Sequence, residues 1–445
     1  MRSSPWLSWF PCAFLAVVAG CGGGASTSDC GTETGTGCKP ASQRVDLVEP
    51  TFSAPTEVSN PLFPIRDLQS AVLLGNVDGH LLRVETTLLP RHETVSVRGQ
   101  AIETLLSQYV AYLDGRIEEV ALDRYAQSDD GAVWYLGEDV FNYAGGEVAD
   151  TEGTWLAGRN GPVAMIMPAE PKVGDVYRPE NSPGIVFEEV TIEQVDVTVD
   201  GPSGPVAGAI VGQELHQDGS LERKTFAPGY GEFASGAGGD VEALAVAVPA
   251  DALSDPPPDD LAALFQGAIA IDDAARAEDW AAVVEQRDAM AAAWDRRRAA
   301  GGLPELLEAQ MTRALGAMNG DALTPAVDAR NPAGSARAAL GVATATLDFQ
   351  LRYRPVTEVD RARFGLWARH LVLDASLGEP GGVAGDVTCL EWIRDRIAHT
   401  LDPAAAAELD TRLRDLRAAA SDGDLEAVST GAAELRTQLA GLGIP

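Results

Sequence analysis

The chain of 445 residues is long enough for two or three domains, each able to bury a core. It carries 33 Lys and Arg against 66 Asp and Glu, a formal charge of −33 at pH 7, and its lysines are only Lys39, Lys172 and Lys224. Such a chain repels phosphate backbones and anionic headgroups, which excludes nucleic acid as a partner and leaves any membrane attachment to something other than charge.

The first 20 residues hold one charged side chain, Arg2, and an apolar run over residues 9–18. That run is too short for a permanent span, which takes about 20 apolar residues, and fits a secretory signal. Its end, Val18-Ala19-Gly20-Cys21, resembles the lipobox of bacterial lipoproteins. The resemblance implies cleavage after residue 20 and acyl chains on Cys21, each buried CH₂ contributing about 0.8 kcal/mol to anchoring. It makes the lipid bilayer a partner through N-terminal acyl chains. It also places the protein outside the cytoplasm, on the cell membrane or on the outer membrane of a host that has one. Gly22 comes next in place of Asp, so no inner-membrane retention signal is implied.

Residues 21–59 are rich in Gly, Ser, Thr and Pro with little apolar periodicity, and are expected to form a flexible tether of about 35 Å r.m.s. span. Cys30 and Cys38, eight apart, suit a small disulfide loop in an oxidising compartment. Cys12 leaves with the signal, and Cys389 reads as a small buried apolar residue in a helical pattern.

Residues 60–250 read as antiparallel β. Turn pairs recur at Asp78-Gly79, Asp114-Gly115, Asp130-Gly131, Gly145-Gly146, Asn160-Gly161, Asp200-Gly201 and Asp218-Gly219. These dipeptides tolerate the positive φ angles of tight hairpins. Val195, Val197 and Val199 alternate with polar residues in the phase opposite to Val190 and Ile192, which puts a bulge near Glu193-Gln194. Residues 101–113 fit either period and are read as strand. The stretches Trp134-Tyr135-Leu136-Gly137-Glu138-Asp139, Gly153-Thr154-Trp155-Leu156, Met165-Ile166-Met167-Pro168 and Val173-Gly174-Asp175-Val176-Tyr177 resemble segments of an uncharacterised family of bacterial secreted proteins and lipoproteins. That resemblance implies a β domain and no activity.

Pro256-Pro257-Pro258 marks residues 251–260 as a linker, with Asp259 or Asp260 placed to cap the helix beyond it. Over residues 261–445 the apolar period changes to 3.6. Stripes run through Trp280, Val283, Val284 and Trp294, through Leu307, Met311, Leu315 and Met318, and through Leu340, Leu347 and Leu351. Further stripes lie at Phe364, Trp367 and Leu371, at Leu390, Ile393 and Ile397, and from Leu409 to Leu439. Six to eight helices are expected. The fold class is therefore α+β in two domains: an antiparallel β-sandwich or half-barrel, then an all-α antiparallel helical bundle.

Several constellations invite chemistry. His370 and Asp374 are four apart, as are Asp395 and His399, so each pair shares a helix face. Two such pairs facing inward would suit a divalent metal, and the same spacing suits surface ion pairs. Glu138, Asp139 and Glu152 crowd two hairpins as Ca²⁺ would require, or form a solvated rim. Arg352, Arg354 and Arg363 fit an anion clamp or an interhelical salt-bridge network. Trp134, Tyr135 and Trp155 read as core packing ahead of a ligand platform. No nucleophile elbow or His-Glu-x-x-His occurs, and no catalytic set is nominated among histidines 80, 92, 216, 370 and 399.

The reading is a lipid-anchored envelope protein that binds a small ligand or an envelope partner without catalysis. A divalent-metal-binding or cation-buffering lipoprotein is the alternative, and a secreted hydrolase stands below both. No cofactor is expected beyond Ca²⁺ or another divalent cation. Cys21→Ser is expected to release the protein from the membrane fraction or to stall its maturation. A Cys21→Ser chain that matures normally and stays membrane-bound would remove the lipoprotein reading.

Overall fold

The computed structural model describes residues 30–316 and 323–441. The signal segment, the lipobox, Cys21 and Met318 lie outside the described residues. Fourteen strands, all antiparallel, form one sheet: β1 (Ser70–Val77), β2 (His80–Val97), β3 (Gln100–Leu113), β4 (Arg116–Gln127), β5 (Val133–Ala144), β6 (Glu147–Asp150), β7 (Trp155–Leu156), β8 (Ala164–Met167), β9 (Val176–Ser182), β10 (Val186–Gly201), β11 (Gly204–His216), β12 (Leu221–Ala227), β13 (Gly231–Ala237) and β14 (Asp240–Val248). The order is β6-β5-β4-β3-β2-β1-β14-β13-β12-β11-β10-β9, so the first strand pairs with the last and two meanders spread from that seam. Asp78 and Gly79, with φ of 50° and 82°, close the first hairpin as their sequence predicts. Arg98 and Gly99 make the same kind of turn at 49° and 85°, without the Asn or Asp that announces it. The expected bulge is present, with register shifts at Gln194 and with Asp196 at positive φ.

The sheet curls until its margins meet. β7 and β8 pair with β5, and β8 packs against β9 from the other end of the order. One apolar cluster consequently draws Trp134, Trp155, Met165, Met167, Tyr177, Val190 and Phe226 from strands far apart in that order. Trp134 and Trp155 are 1% exposed, and Tyr135 stacks on Tyr125 while meeting Trp155 edge-on. The aromatic group is core, as expected.

From Cys30 onward the segment expected as a free tether is ordered instead. Cys30 and Cys38 are joined by a disulfide. Gly31 lies against the Phe187 ring with no room for a side chain, and the Lys39 amide donates to Glu189 at 2.7 Å. Arg44 forms a bridge with Val176, covering the outer edge of β9, which would otherwise present unpaired backbone groups. Further on, Val58, Leu62 and Ile65 are buried and Asp129 holds Ser53 and Thr51. Buried apolar side chains and these hydrogen bonds outweigh the Gly/Ser composition.

Nine helices complete the chain among the described residues: α1 (Asp259–Arg276), α2 (Trp280–Ala300), α3 (Glu305–Ala314), α4 (Leu323–Asp328), α5 (Pro332–Gln350), α6 (Val356–Leu377), α7 (Pro380–Ile397), α8 (Pro403–Ser421) and α9 (Leu425–Gly441). Asp402 caps α8 through the amides of Ala404 and Ala405, with Pro403 in the first turn. Pro258, not an aspartate, occupies the cap of α1; Asp259 and Asp260 sit in its first turn. Of the second helix's stripe, Val283 and Trp294 are buried but Val284 is 39% exposed. α5 is buried nearly all round, as an Ala-rich central helix must be. The core of α1–α5 continues into Val72, Val246 and Val248 on the outer face of the β1/β14 seam, so the helices cover the sheet directly.

A buried ion network fastens the two halves. Glu85 of β2 meets Arg83 at 2.7 Å, Arg363 at 3.3 Å and Arg396 at 2.5 Å. Asp348 meets Arg83 at 2.6 Å and Arg363 at 2.8 Å, and Asp360 holds Arg363 at 3.1 Å. Three carboxylates therefore face three guanidinium groups, and although burial opposes its charge, the arginines hold Glu85 well below the usual carboxylate range. Removing one partner of such a set strands buried charge. Glu85→Ala is expected to lower unfolding free energy by about 3–5 kcal/mol in urea denaturation. A loss below about 1 kcal/mol would mean that the network does not join the halves.

Candidate functional site

Every second residue of a strand points into the curl. On β4 the inward set is Glu119, Ala121, Asp123 and Tyr125. On β5 a bulge at Gly137, whose φ is 124°, turns both Tyr135 and Glu138 inward. Register then sets carboxylates side by side. Asp123 lies opposite Glu138, and Glu180 of β9 lies opposite Glu188 of β10. Glu188 in turn lies opposite His216 of β11, and Glu214, two residues earlier, opposite Glu222 of β12. Lys224, Ser235 and Glu242 share a row across β12, β13 and β14. Where the margins of the sheet meet, Glu138 and Glu180 come close enough to share one proton.

These groups, apart from the more deeply buried Glu214, line a cavity of about 420 Å³. It lies toward the end of the barrel formed by the β9–β10, β11–β12 and β13–β14 turns, which contribute Ile185, Asp218 and Ala237 to its wall. The tryptophan and methionine cluster fills the interior beyond it.

Its electrostatics are one-sided: among the described residues, His216 and Lys224 are the basic groups in the wall. His216 Nδ1 is 3.3 Å from Glu188 and Nε2 is 3.2 Å from Glu222, while Lys224 Nζ is 2.7 Å from Glu214. Burial works against the imidazolium, but its bonds to Glu188 and Glu222 and the field of Glu214 push it up to about 10. Burial likewise opposes the Glu188 charge, yet Lys224 and His216 hold that carboxyl down to about 2. For the other acids such help falls short of the cost of burial. Burial and neighbouring carboxylates raise Glu119 to about 7 and Glu242 to about 8. Burial alone raises Asp123 to about 6, against its hydrogen bond from Tyr135 at 2.7 Å. Glu138 is pushed well above the carboxylate range by burial and by Asp123, and Glu180 by burial, Glu188 and Glu138. Glu138 Oε1 and Glu180 Oε2, on residues 5% and 2% exposed, receive no hydrogen bond from any protein donor.

Of the metal and anion candidates singled out in the sequence, Glu138 lines this cavity, as does Tyr135 from the aromatic group. Asp139 points the other way, to Arg124 at 2.5 Å, and Glu152 is exposed in a turn, so these three do not converge on a calcium ion. The helix pairs do not converge either. Asp374 is held by Arg116 and by Arg337, the latter at 3.0 Å; Asp395 by Arg91 and Arg394; and His399 is exposed. Burial beside Arg116 and Arg337 pushes the His370 imidazole down to about 3, and its ring lies tilted at 39° against Trp367. Arginines occupy the places that a metal would need. Arg363 belongs to the interdomain network and Arg354 is exposed. Arg352 donates to the Asp251 and Gly302 carbonyls and to Ser203, so Arg352 and Arg363 are separate structural ties and the three do not converge as an anion clamp.

Among the described residues, the group whose ligand atoms lie near enough for a metal is Glu188, Glu214 and His216, all within 4.8 Å of one another. Sequence reasoning passed over them. Glu214-Leu215-His216 alternates as a solvent-facing strand does, and only the curl shows that its polar face is the inner one. Comparison of the chain with family models, with curated proteins and with solved structures returns no match.

Groups whose folded pKa is raised bind protons more readily folded than unfolded, so their stability contribution is full at low pH and lost as pH rises through the folded value. For Asp123, Glu119 and Glu242 the loss begins above the ordinary carboxylate range of about 4 and is complete only above about 6, 7 and 8 respectively. The metal-free protein is therefore expected to melt several degrees higher at about pH 5.5 than at about pH 8.5, where all three are ionised. The double variant Glu119→Gln/Asp123→Asn should show a flatter profile; an unchanged slope would mean that these carboxyls are already compensated.

Proposed function

We propose that this is a lipid-anchored envelope protein whose β-barrel takes up a cationic ligand. The observation that carries the reading is the pair Glu138 and Glu180, two buried carboxyls facing each other across the closure, with Glu138 Oε1 and Glu180 Oε2 reached by no donor other than a proton the pair shares. Like charges set opposite one another in a sheet are destabilising, and a cation between them reverses the sign. Glu119, Asp123, Glu232 and Glu242 extend the negative wall, and Tyr109, Tyr125 and Tyr135 add ring surface suited to a cation's alkyl stem. An acyl-chain carrier would need a roomy apolar interior, whereas here the apolar end is filled and the open end is charged. The ligand classes that fit are a divalent metal ion and a small organic polycation. The anchor at Cys21 rests on the lipobox resemblance and would hold this barrel outside the cytoplasm. No helix among the described residues is long and apolar enough to cross a membrane.

Thermal melting of EDTA-treated protein at low ionic strength, with Ca²⁺, Zn²⁺ or spermidine added singly, tests the reading. A ligand at 100 times its Kd adds about 2.7 kcal/mol, so at least one should raise the melting temperature by several degrees. Glu138→Gln/Glu180→Gln should abolish most of that shift while itself melting higher than the parent. If none of the three ligands moves the parent's transition, the cation-binding reading fails.

A further inference from the structure

We infer that Glu188, Glu214 and His216 bind a divalent transition cation of the zinc or manganese class at one side of the cavity. The inference deepens the cation reading and rests on it. The three side chains come from adjacent strands, β10 and β11, and share the inner face because 214 and 216 are two apart and 216 lies opposite 188. Each offers one ligand atom, and the three atoms lie within 4.8 Å of one another. Donors about 2.1 Å from a tetrahedral metal lie about 3.4 Å apart. A metal takes one nitrogen of the ring: His216 Nε2 stands 3.9 Å from Glu214 Oε2, while Nδ1, on the other side of the imidazole, stands 3.3 Å from Glu188 Oε1. Rotation of the imidazole and of one carboxylate on the fixed sheet closes the set around a single nitrogen.

A further observation points to a cation here. Glu180, directly opposite Glu188 on β9, is 2% exposed and its Oε2 receives no hydrogen bond from a neighbouring N–H or hydroxyl group. The ammonium of Lys224 stands 2.7 Å from Glu214 Oε2 and turns aside when a metal takes that carboxylate. Lys224 is also drawn toward Glu188, Glu222 and Glu232, so it has other carboxylates to turn to when Glu214 is taken. One imidazole with carboxylates selects the class. Imidazole suits zinc and its neighbours, carboxylate suits manganese, and calcium prefers oxygen alone. Glu222, 3.2 Å from His216 Nε2, serves as a fourth ligand or orients the ring from outside.

The test is isothermal titration of the EDTA-treated protein with ZnCl₂ and with MnCl₂, beside CaCl₂ and spermidine as cations that make no use of the imidazole. One zinc or manganese per chain is expected, weakened by at least about tenfold in His216→Gln and in Glu214→Gln. Spermidine binding in His216→Gln should stay within twofold. Lys224→Met removes the competing ammonium and should tighten metal binding, giving a gain that no misfolded chain would show. Co²⁺ bound to the parent should give visible d–d absorption that His216→Gln changes.

Parent-like zinc affinity in both ligand variants would place the metal elsewhere and overturn the inference. So would unchanged or weaker binding in Lys224→Met. Spermidine or Ca²⁺ binding with no zinc or manganese binding would sink the metal site and leave the cation reading standing. Failure of all four would sink both.

Discussion

Curling the sheet until its margins meet sends one face of each strand into a space of about 420 Å³, and every carboxylate on that face must find a proton or a cation there. The outer face shows what full compensation looks like. Glu85, Asp348 and Asp360 are matched by Arg83, Arg363 and Arg396, and the arginines hold the Glu85 and Asp348 carboxyls below their ordinary range. Inside, Lys224 and His216 answer a much larger set of acids, and the imbalance appears as raised carboxyls at Glu119, Asp123, Glu138, Glu180 and Glu242. The same chain solves the problem on one side of a strand and leaves it open on the other.

That asymmetry dictates how the rest is built. The helices could settle on the sheet only where its outer face is apolar or paired, and they do so at the β1/β14 seam and through the Glu85 network. Arg352 ties the linker at Asp251 to the start of the β10–β11 hairpin through Ser203, so the polyproline segment is fixed at its near end. The Cys30–Cys38 loop and the bridge from Arg44 to Val176 protect the last strand, the one whose inner face carries Glu180. Each of these contacts resists uncurling, which is the motion that internal like-charge repulsion favours.

Elements whose signals are local were legible. The Asp-Gly turns at Asp78, Asp114, Asp130 and Asp218, the strand over residues 100–113, the bulge near Gln194, the cap at Asp402 and the change of period after residue 260 all appear where the residues place them, whereas Asp200-Gly201 stays paired in β10 and the chain turns at Pro202-Ser203. What was lost depended on tertiary facts. Arg98-Gly99 turns because the strands on either side pair, not because Arg favours positive φ. The segment after Cys30 packs because Phe187 and Glu189 offer it a surface. The cavity was the largest omission. A period of two tells which residues share a face but not which face is enclosed, so nothing in the sequence marks Glu188, Glu214, His216 and Glu222 as turned inward.

The net charge of −33 excludes anionic partners and, on the proposed reading, also recruits cationic ones. A strongly negative surface raises the local concentration of cations, and field lines focus into clefts walled by low-dielectric protein. Asp218 and Asp240 on the turns at the mouth place negative charge where an entering cation first meets the barrel, within a Debye length of about 8 Å at physiological salt. Deeper in, the cation trades water for carboxylates whose own burial has left them short of partners. Attraction at the rim would act on the rate of entry and compensation at the ring on the stability of the bound state. An acidic chain would then owe its affinity less to its total charge than to the few carboxylates the curl has turned inward.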